Sequence, residues 1–134
     1  MPVVVAEGLV GQVTQVSGHA AEVQLITDQK SGVAAQLIGS GETGIVEGEV
    51  DRKLKLNFVS KDSKVRKGDL VITSGLGGVF PKGLFIATVS KTTQRPYSLY
   101  KDISLYSPVH FNGLEEVLVI VNPPPKSPFA VKER

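Results

Sequence analysis

The glycine-rich segment 73–83 is the part of the sequence that comes nearest to a binding motif. Backbone N–H groups and a nearby lysine, here Lys82, hold phosphate in glycine-rich loops. Such a loop needs a helix behind it, yet Pro81 and Gly83 stand where the first helical turns would be. We therefore interpret the segment as an ordered turn between barrel strands. Its structural positions are Thr73, Ser74, Gly75, Gly77, Gly78, Phe80, Pro81 and Gly83.

Serine and histidine are the remaining residue types that could support nucleophilic catalysis. Ser17 and Ser74 are candidate nucleophiles, with His19 or His110 as the base. Neither serine lies in the strand–turn–helix setting of a nucleophile elbow. A full set of nucleophile, base and oxyanion donors cannot be assembled from these residues. We expect no catalytic residues and no enzyme activity.

Metal and cofactor sites are equally poorly supported. The two histidines are far apart in sequence, and no ligand spacing surrounds Asp28 or the pair Glu115-Glu116. The chain contains no cysteine, which excludes a thiolate metal site and a disulfide framework. We expect no metal and no cofactor.

Charge and hydropathy exclude two further classes. The 15 basic and 13 acidic residues give a net charge of +2 and are scattered, so a nucleic-acid footprint is not expected. The light basic cluster at residues 61–67 is interpreted as a solvated loop. The longest apolar runs, residues 3–6 and 117–121, are far shorter than the roughly 20 residues that cross a bilayer.

The elements that must position these residues are strands. Helical periodicity is nearly absent, and turn residues recur about every 8–12 residues, as in sandwiches and barrels. A bulge near Gly11 or Gln15 is expected, because Val13 and Val16 cannot share a face of a regular strand. The predicted strands are 2–6, 9–17, 20–27, 33–39, 43–49, 53–60, 70–74, 84–92, 97–107 and 115–122.

Three segments carry more specific expectations. Leu54, Leu56 and Phe58 alternate with polar residues and should share one buried face. Residues 117–121 are apolar on both faces and should form a central strand or lie between two packed units. The proline-rich tail from residue 123 to 134 is interpreted as frayed, with a docking segment anchored by Phe129 as the alternative.

Four segments of the sequence resemble the MreC family of rod shape-determining proteins in order and spacing. They are residues 8–13, 25–28, 67–83 and 114–119, of which the long glycine-rich element is the specific one. The resemblance covers roughly residues 1–121 and implies an all-β fold of two small, closely packed antiparallel β-barrels with little or no helix. On that basis we expect residues 1–40 to form a first barrel that is truncated at its N-terminus. The two apolar faces of strand 115–122 predict that this strand completes the first barrel. Residues 41–114 form the second barrel, and residues 123–134 the tail.

The resemblance also implies a function. Family members are anchored in the inner membrane by an N-terminal helix that is absent here, and their β-domains are extracytoplasmic, or periplasmic in a Gram-negative host. They act as non-catalytic scaffolds of the cell-elongation machinery that organises peptidoglycan synthesis and maintains cell shape. Their partners are a class B penicillin-binding transpeptidase and other elongation membrane proteins, and they self-associate.

A scaffold binds through its surface, and aromatic side chains are frequent anchors. In segment 97–107, Leu99, Ile103 and Leu105 fall on one face, while Tyr100 and Tyr106 fall on the other. We expect Tyr100, Tyr106 and Phe111 to form a partner surface, although the tyrosines would also suit a plain barrel wall. The alternative function is a ligand-binding β-barrel that recognises a cell-wall saccharide or an anionic ligand, with Thr73, Ser74 and Lys82 as its polar groups.

Overall fold

The structure is a computed structural model, and it describes residues 1–121. Ten strands and one three-residue 3₁₀ turn (Val50–Arg52) account for the regular structure of this region, so the expectation of an all-β chain is confirmed. The strands are β1 (Pro2–Val5), β2 (Gly8–Val16), β3 (Ala21–Leu25), β4 (Gly32–Leu37), β5 (Thr43–Gly48), β6 (Leu54–Asn57), β7 (Leu70–Thr73), β8 (Phe85–Gln94), β9 (Lys101–Tyr106) and β10 (Leu118–Val119).

Six strands form a closed antiparallel barrel in the order β4-β5-β6-β9-β8-β7, and β7 pairs with β4 to complete the ring. Alternation along each strand fills the interior. In β4, Val33, Ala35 and Leu37 point inward and are buried, while the residues between them are partly exposed. Leu54 and Leu56 of β6 do the same. The interior is therefore occupied by aliphatic side chains, which leaves no room there for a ligand.

The other four strands form a second sheet in the order β10-β1-β2-β3. In the described residues this sheet stays open, so the second unit is a four-stranded sheet beside the barrel. Hydrogen bonding also corrects one assignment. The expectation that the first unit extends to residue 40 is wrong, because β4 pairs with β5 and β7 and belongs to the six-stranded barrel. The change of sheet thus falls between β3 and β4.

The two units share a packed junction. Leu9 of β2 and Ile26, just after β3, are fully buried within the hydrophobic cluster of the barrel. Two glycines let the backbones approach closely. A Cβ at Gly48 of β5 would overlap the carbonyl group of Thr27, and a Cβ at Gly8 would press on Phe85 of β8. Phe111 packs against the clusters of both units.

The strand pairings test two further expectations. The register of β2 against β3 shifts between Val13 and Gln15, which confirms the bulge expected near Gln15. The expectation that residues 117–121 form a central strand or lie between two packed units is wrong. β10 is only two residues long, and among residues 1–121 it pairs with β1 alone and lies at the edge of the sheet, where Leu118 is 70% exposed. Apolar composition on both faces therefore marks an exposed edge here.

Candidate interaction surfaces

The outward face of β9 carries the two tyrosines that we expected to contact a partner. Ile103 and Leu105 are buried inside the barrel, while Tyr100 is 45% exposed and Tyr106 is 61% exposed. The strand begins at Lys101 instead of residue 97, because the chain turns at residues 95–98 and Tyr97 has a left-handed φ of 65°. Leu99 consequently lies outside the strand and is exposed, so its expected inward position is wrong.

Tyr100 and Tyr106 lie at opposite ends of the strand. Six residues of extended chain separate them by about 20 Å. Tyr100 contacts Phe58 edge-to-face, with ring centroids 5.6 Å apart and planes at 86°. Tyr106 instead lines an open groove of about 780 Å³, which we call the Tyr106 groove, together with Lys53 and Phe111. The structure thus joins Tyr106 with Phe111 and leaves Tyr100 on a separate surface.

Phe58 is the surface aromatic that the sequence misplaced. Strict alternation with Leu54 and Leu56 predicted a buried ring, but Phe58 is 57% exposed. Its φ of 69° lies in the left-handed region, which reverses the phase of the chain so that Val59 points inward instead and is fully buried. The adjacent apolar residues Phe58 and Val59 were the available signal, because only one of the two can occupy the inner face.

The Tyr106 groove has a partly basic border. Arg52, Lys53 and His110 line it beside Phe111, and Arg52 has a left-handed φ of 60°. Phe111 is only partly exposed, because part of its ring packs at the junction of the two units. This residue therefore contributes to the groove and to the packing of the fold at once.

The glycine-rich segment is held by hydrogen bonds around Thr73. The Thr73 hydroxyl, which is fully buried, donates to the Pro81 carbonyl oxygen at 2.6 Å and accepts from the Leu84 N–H at 2.8 Å. The Gly83 N–H donates to the Thr73 carbonyl oxygen at 2.9 Å. Gly75, Gly77, Gly78 and Gly83 all have positive φ. Phe80 is buried beneath the turn, and β8 follows it at once.

This geometry gives the turn little capacity for an anion. The Thr73 hydroxyl is already used twice within the turn, and Ser74 Oγ accepts from the Leu76 N–H at 3.2 Å. No helix N-terminus stands behind the backbone N–H groups, since a strand follows. Lys82 remains as an exposed cation at the rim of the turn.

The residues considered for catalysis and for metal binding do not come together in the described structure. His19 lies in the hairpin between β2 and β3, and His110 lies beyond β9 on the groove border. Over residues 1–121, no three side chains of His, Asp or Glu come together in a way that could hold a metal ion. The same residues contain no helix that is long and apolar enough to span a bilayer.

A closed six-stranded barrel with a filled interior and a second sheet packed beside it define a class of fold: an all-β domain of two packed units. Within that class, the sequence matches over residues 1–121 the model of the family described as "Rod shape-determining protein MreC, barrel core". The chain belongs to the MreC family, which confirms the resemblance read from the sequence. A family that is named for determining cell shape also agrees with the expectation that the chain is not an enzyme.

Individual relatives agree with this assignment. The cell shape-determining protein MreC of Listeria monocytogenes is 43% identical over 96 residues, which are 68% of this chain and 32% of that protein. The chain thus spans about a third of that relative's length. The crystal structure of MreC from Pseudomonas aeruginosa superposes with a TM-score of 0.85 at 30% identity, covering 90% of this chain and 78% of that one.

A third structure is a complex between a penicillin-binding protein (PBP2) and MreC from Helicobacter pylori. It matches with a TM-score of 0.70 at 20% identity, over 82% of this chain and 68% of that chain. At this identity the likeness shows a shared fold.

Proposed function

We propose that this chain is an extracytoplasmic scaffold module of the bacterial cell-elongation machinery. In this role it binds a class B penicillin-binding transpeptidase and thereby organises peptidoglycan synthesis, without catalysing a step itself. Membership of the MreC family supports the cell-shape role. The Helicobacter pylori complex supports the choice of partner, because a member of the same family is bound there to PBP2.

One structural observation carries the proposal: Tyr100 and Tyr106 are exposed on the outside of the barrel, whereas the interior is filled by the hydrophobic core. Tyr106 is the last residue of β9 and pairs with Thr88 of β8, while Tyr100 directly precedes β9 and forms a bridge with Ser60, so the barrel wall holds both backbones in place. Preorganised tyrosines lose little conformational freedom on binding, and such residues often supply much of the energy of an interface. We propose Tyr100, Tyr106 and Phe111 as partner-contacting residues.

The proposal includes the wider setting of the family. The native protein is anchored in the inner membrane by a segment N-terminal to this domain, self-associates, and contacts other membrane proteins of the elongation machinery. The open sheet supports the proposed self-association, since β10 and β3 each have one unpaired edge in the described part of the chain.

The experiment is calorimetric titration of this chain with the extracytoplasmic part of its own organism's class B transpeptidase. We expect saturable binding that is weakened about fivefold or more by Tyr100→Ala or Tyr106→Ala, as for an interface anchor. Tyr97→Ala is the matched control, because Tyr97 is a fully exposed tyrosine in a turn and lies outside the barrel wall.

The two tyrosine variants also locate the surface. Weakening by Tyr100→Ala alone assigns the contact to the Phe58 end of β9, and weakening by Tyr106→Ala alone assigns it to the Tyr106 groove. Absence of binding at high micromolar concentration by the folded chain would contradict the proposed partner.

A further inference from the structure

A second groove lies on the outer wall of the barrel, beside Phe58. It is open, has a volume of about 400 Å³, and is here called the Phe58 groove. Its floor is formed by Ala34 of β4 and Ile45 of β5, which are directly paired across the two strands. Phe58 borders one side, and Leu76 with Gly77 of the glycine-rich turn borders the other. The turn that characterises the sequence therefore supplies one wall of this groove.

Backbone hydrogen bonds hold Leu76 at that wall. The Ser74 N–H donates to the Ala34 carbonyl oxygen at 3.0 Å, which fixes the start of the turn against β4. The Leu76 N–H then donates to Ser74 Oγ at 3.2 Å. Leu76 is nevertheless 64% exposed, so its position comes from the turn and not from burial of its own side chain.

Phe58, which borders the groove, has a strained backbone conformation. A bulky side chain at a left-handed φ is strained, and an exposed ring recovers little of that strain by burial. Tyr100 braces the ring edge-to-face, which fixes its orientation. The exposed Phe58 ring therefore contributes little to the stability of the barrel. Its fixed orientation beside an apolar floor suits it to contact a binding partner.

Each of the two chain segments that border the groove, the one with Phe58 and the one with Leu76, also carries an exposed lysine. Lys61 follows the bridge between Ser60 and Tyr100, and its N–H donates to the Leu99 carbonyl oxygen at 3.0 Å. In the other segment, Lys82 lies against Gly75, next to Leu76. The ion pairs within residues 1–121 are Lys55 with Glu49 and Arg95 with Asp102, so both lysines are free to pair with a ligand in this region. Asp62 is the one acidic residue of segment 58–67, against four basic residues.

We propose that the Phe58 groove receives an apolar side chain from the transpeptidase, on a segment where Asp or Glu residues flank that side chain. The apolar floor and walls select the anchor, and the two free ammonium groups select the flanking carboxylates. This inference rests on the proposed function, because it names the part of the partner that the scaffold binds. It also gives Tyr100 a role as the residue that positions Phe58.

The test uses the same titration with the extracytoplasmic part of the transpeptidase and two groove variants. Leu76→Asp places a carboxylate where the anchor and the acidic flank would lie. Phe58→Gly removes the ring at a position whose φ suits glycine. We expect each change to weaken binding about tenfold or more, as at an interface hot spot. The thermal midpoint should shift by no more than about 5 °C, so the variants remain folded at the temperature of the titration.

The matched control for Leu76→Asp is Val16→Asp. Val16 is 66% exposed, as exposed as Leu76, but it lies at the end of β2 in the other unit. The control introduces the same charge on an equally exposed apolar residue, so we expect its affinity to stay within about twofold of the original chain. A large loss in Val16→Asp would overturn the assignment, because it would show a general effect of negative charge.

The acidic character of the partner segment has its own test. In the double variant Lys61→Gln/Lys82→Gln, affinity should fall at low salt and converge on that of the original chain at high salt, because the lysines act through screened charge. Equal salt dependence in both proteins would overturn the acidic flank.

The outcomes separate this inference from the function on which it rests. If the original chain binds and both Phe58→Gly and Leu76→Asp bind equally well, the groove is excluded and the scaffold function stands. If the original chain does not bind, the proposed partner and this occupant both fail. Concentration-dependent self-association in sedimentation that only the groove variants abolish would assign the groove to a second copy of the chain and overturn the proposal.

Discussion

The closed barrel and the open sheet differ in the pairing of their strand edges and in the size of their hydrophobic cores. Every barrel strand is paired on both sides, whereas the sheet ends at β3 and β10. The barrel encloses a large aliphatic core, while the separate core of the sheet consists of Val3, Val10 and Val109 with partly buried neighbours. The sheet completes its burial by contributing Leu9 and Ile26 to the barrel cluster. The comparison indicates a barrel with a large core of its own and a sheet whose burial depends mostly on the barrel.

Backbone strain at non-glycine residues occurs in the barrel and not in the open sheet, within the described residues. Asp51, Arg52, Phe58 and Tyr97 are the non-glycine residues with positive φ in the described chain, and all four lie between β5 and β9. A closed ring of hydrogen bonds restrains its connecting loops, so it can hold residues in conformations that an open sheet would relax. Two of these four positions, Arg52 and Phe58, border the grooves proposed as binding surfaces.

The largest expected effect comes from opening the barrel core. Leu56 of β6 is fully buried, and Leu56→Ala leaves a cavity, so we expect the free energy of unfolding to fall by about 3 kcal/mol. Chemical denaturation monitored by circular dichroism measures this change. Leu118→Ala is the control, because Leu118 is exposed on β10 and its truncation should change the same quantity by less than about 0.5 kcal/mol. Similar losses in both variants would contradict the difference between the two units.

The junction between the units is the next most sensitive place. In Gly48→Ala the new methyl group would overlap the Thr27 backbone, and relieving that overlap moves β5 away from the end of β3. We expect a loss of about 2–3 kcal/mol. Amide hydrogen exchange should show lost protection first in β1 to β3, because they depend on the barrel. Gly113→Ala, where a Cβ meets open space, should leave stability and exchange unchanged.

The glycine-rich turn should respond more weakly than the core or the junction. Thr73→Val keeps the shape of the side chain but removes the hydroxyl that accepts from Leu84 and donates to Pro81. Leaving these buried groups unpaired should lower the free energy of unfolding by about 2 kcal/mol. Thr93→Val on the exposed end of β8 is the control and should have little effect. An unchanged denaturation midpoint in Thr73→Val would show that water replaces the hydroxyl.

Much of the fold could be predicted from local pattern. Alternation predicted the inner positions Leu54 and Leu56 of β6 and Ile103 and Leu105 of β9, and the phase break in β2 predicted the bulge near Gln15. Strand partners could not be predicted in this way, because pairing depends on distant residues. The misplaced strand β4 illustrates the limit, since nothing in residues 32–37 specifies whether they pair with β3 or with β7.

The candidate surfaces were predictable only in part. Tyr100 and Tyr106 follow from alternation along β9, so the sequence could place them outside. Phe58 required knowledge of a single φ angle, and Leu76 required the path of the glycine-rich turn across β4. Residues on a regular strand were therefore found, and residues placed by irregular backbone were missed. The prediction for the apolar run 117–121 was wrong because composition alone cannot distinguish a buried strand from an exposed edge.

The smallest effect on stability is expected at Phe58, although its effect on binding should be large. Phe58→Gly relieves a left-handed strain of about 1–2 kcal/mol and loses an edge-to-face contact of about 0.5–1.5 kcal/mol, so the free energy of unfolding should change by less than about 1 kcal/mol. Lys91→Gly, at an exposed position within β8, is the control and should destabilise by about 0.5–1 kcal/mol because no strain is relieved there. Denaturation of the two variants side by side measures the difference. A loss at Phe58 of several kcal/mol would show that the ring stabilises the barrel. Phe58 would then not be a strained residue kept for binding, and this difference between the barrel and the open sheet would be lost.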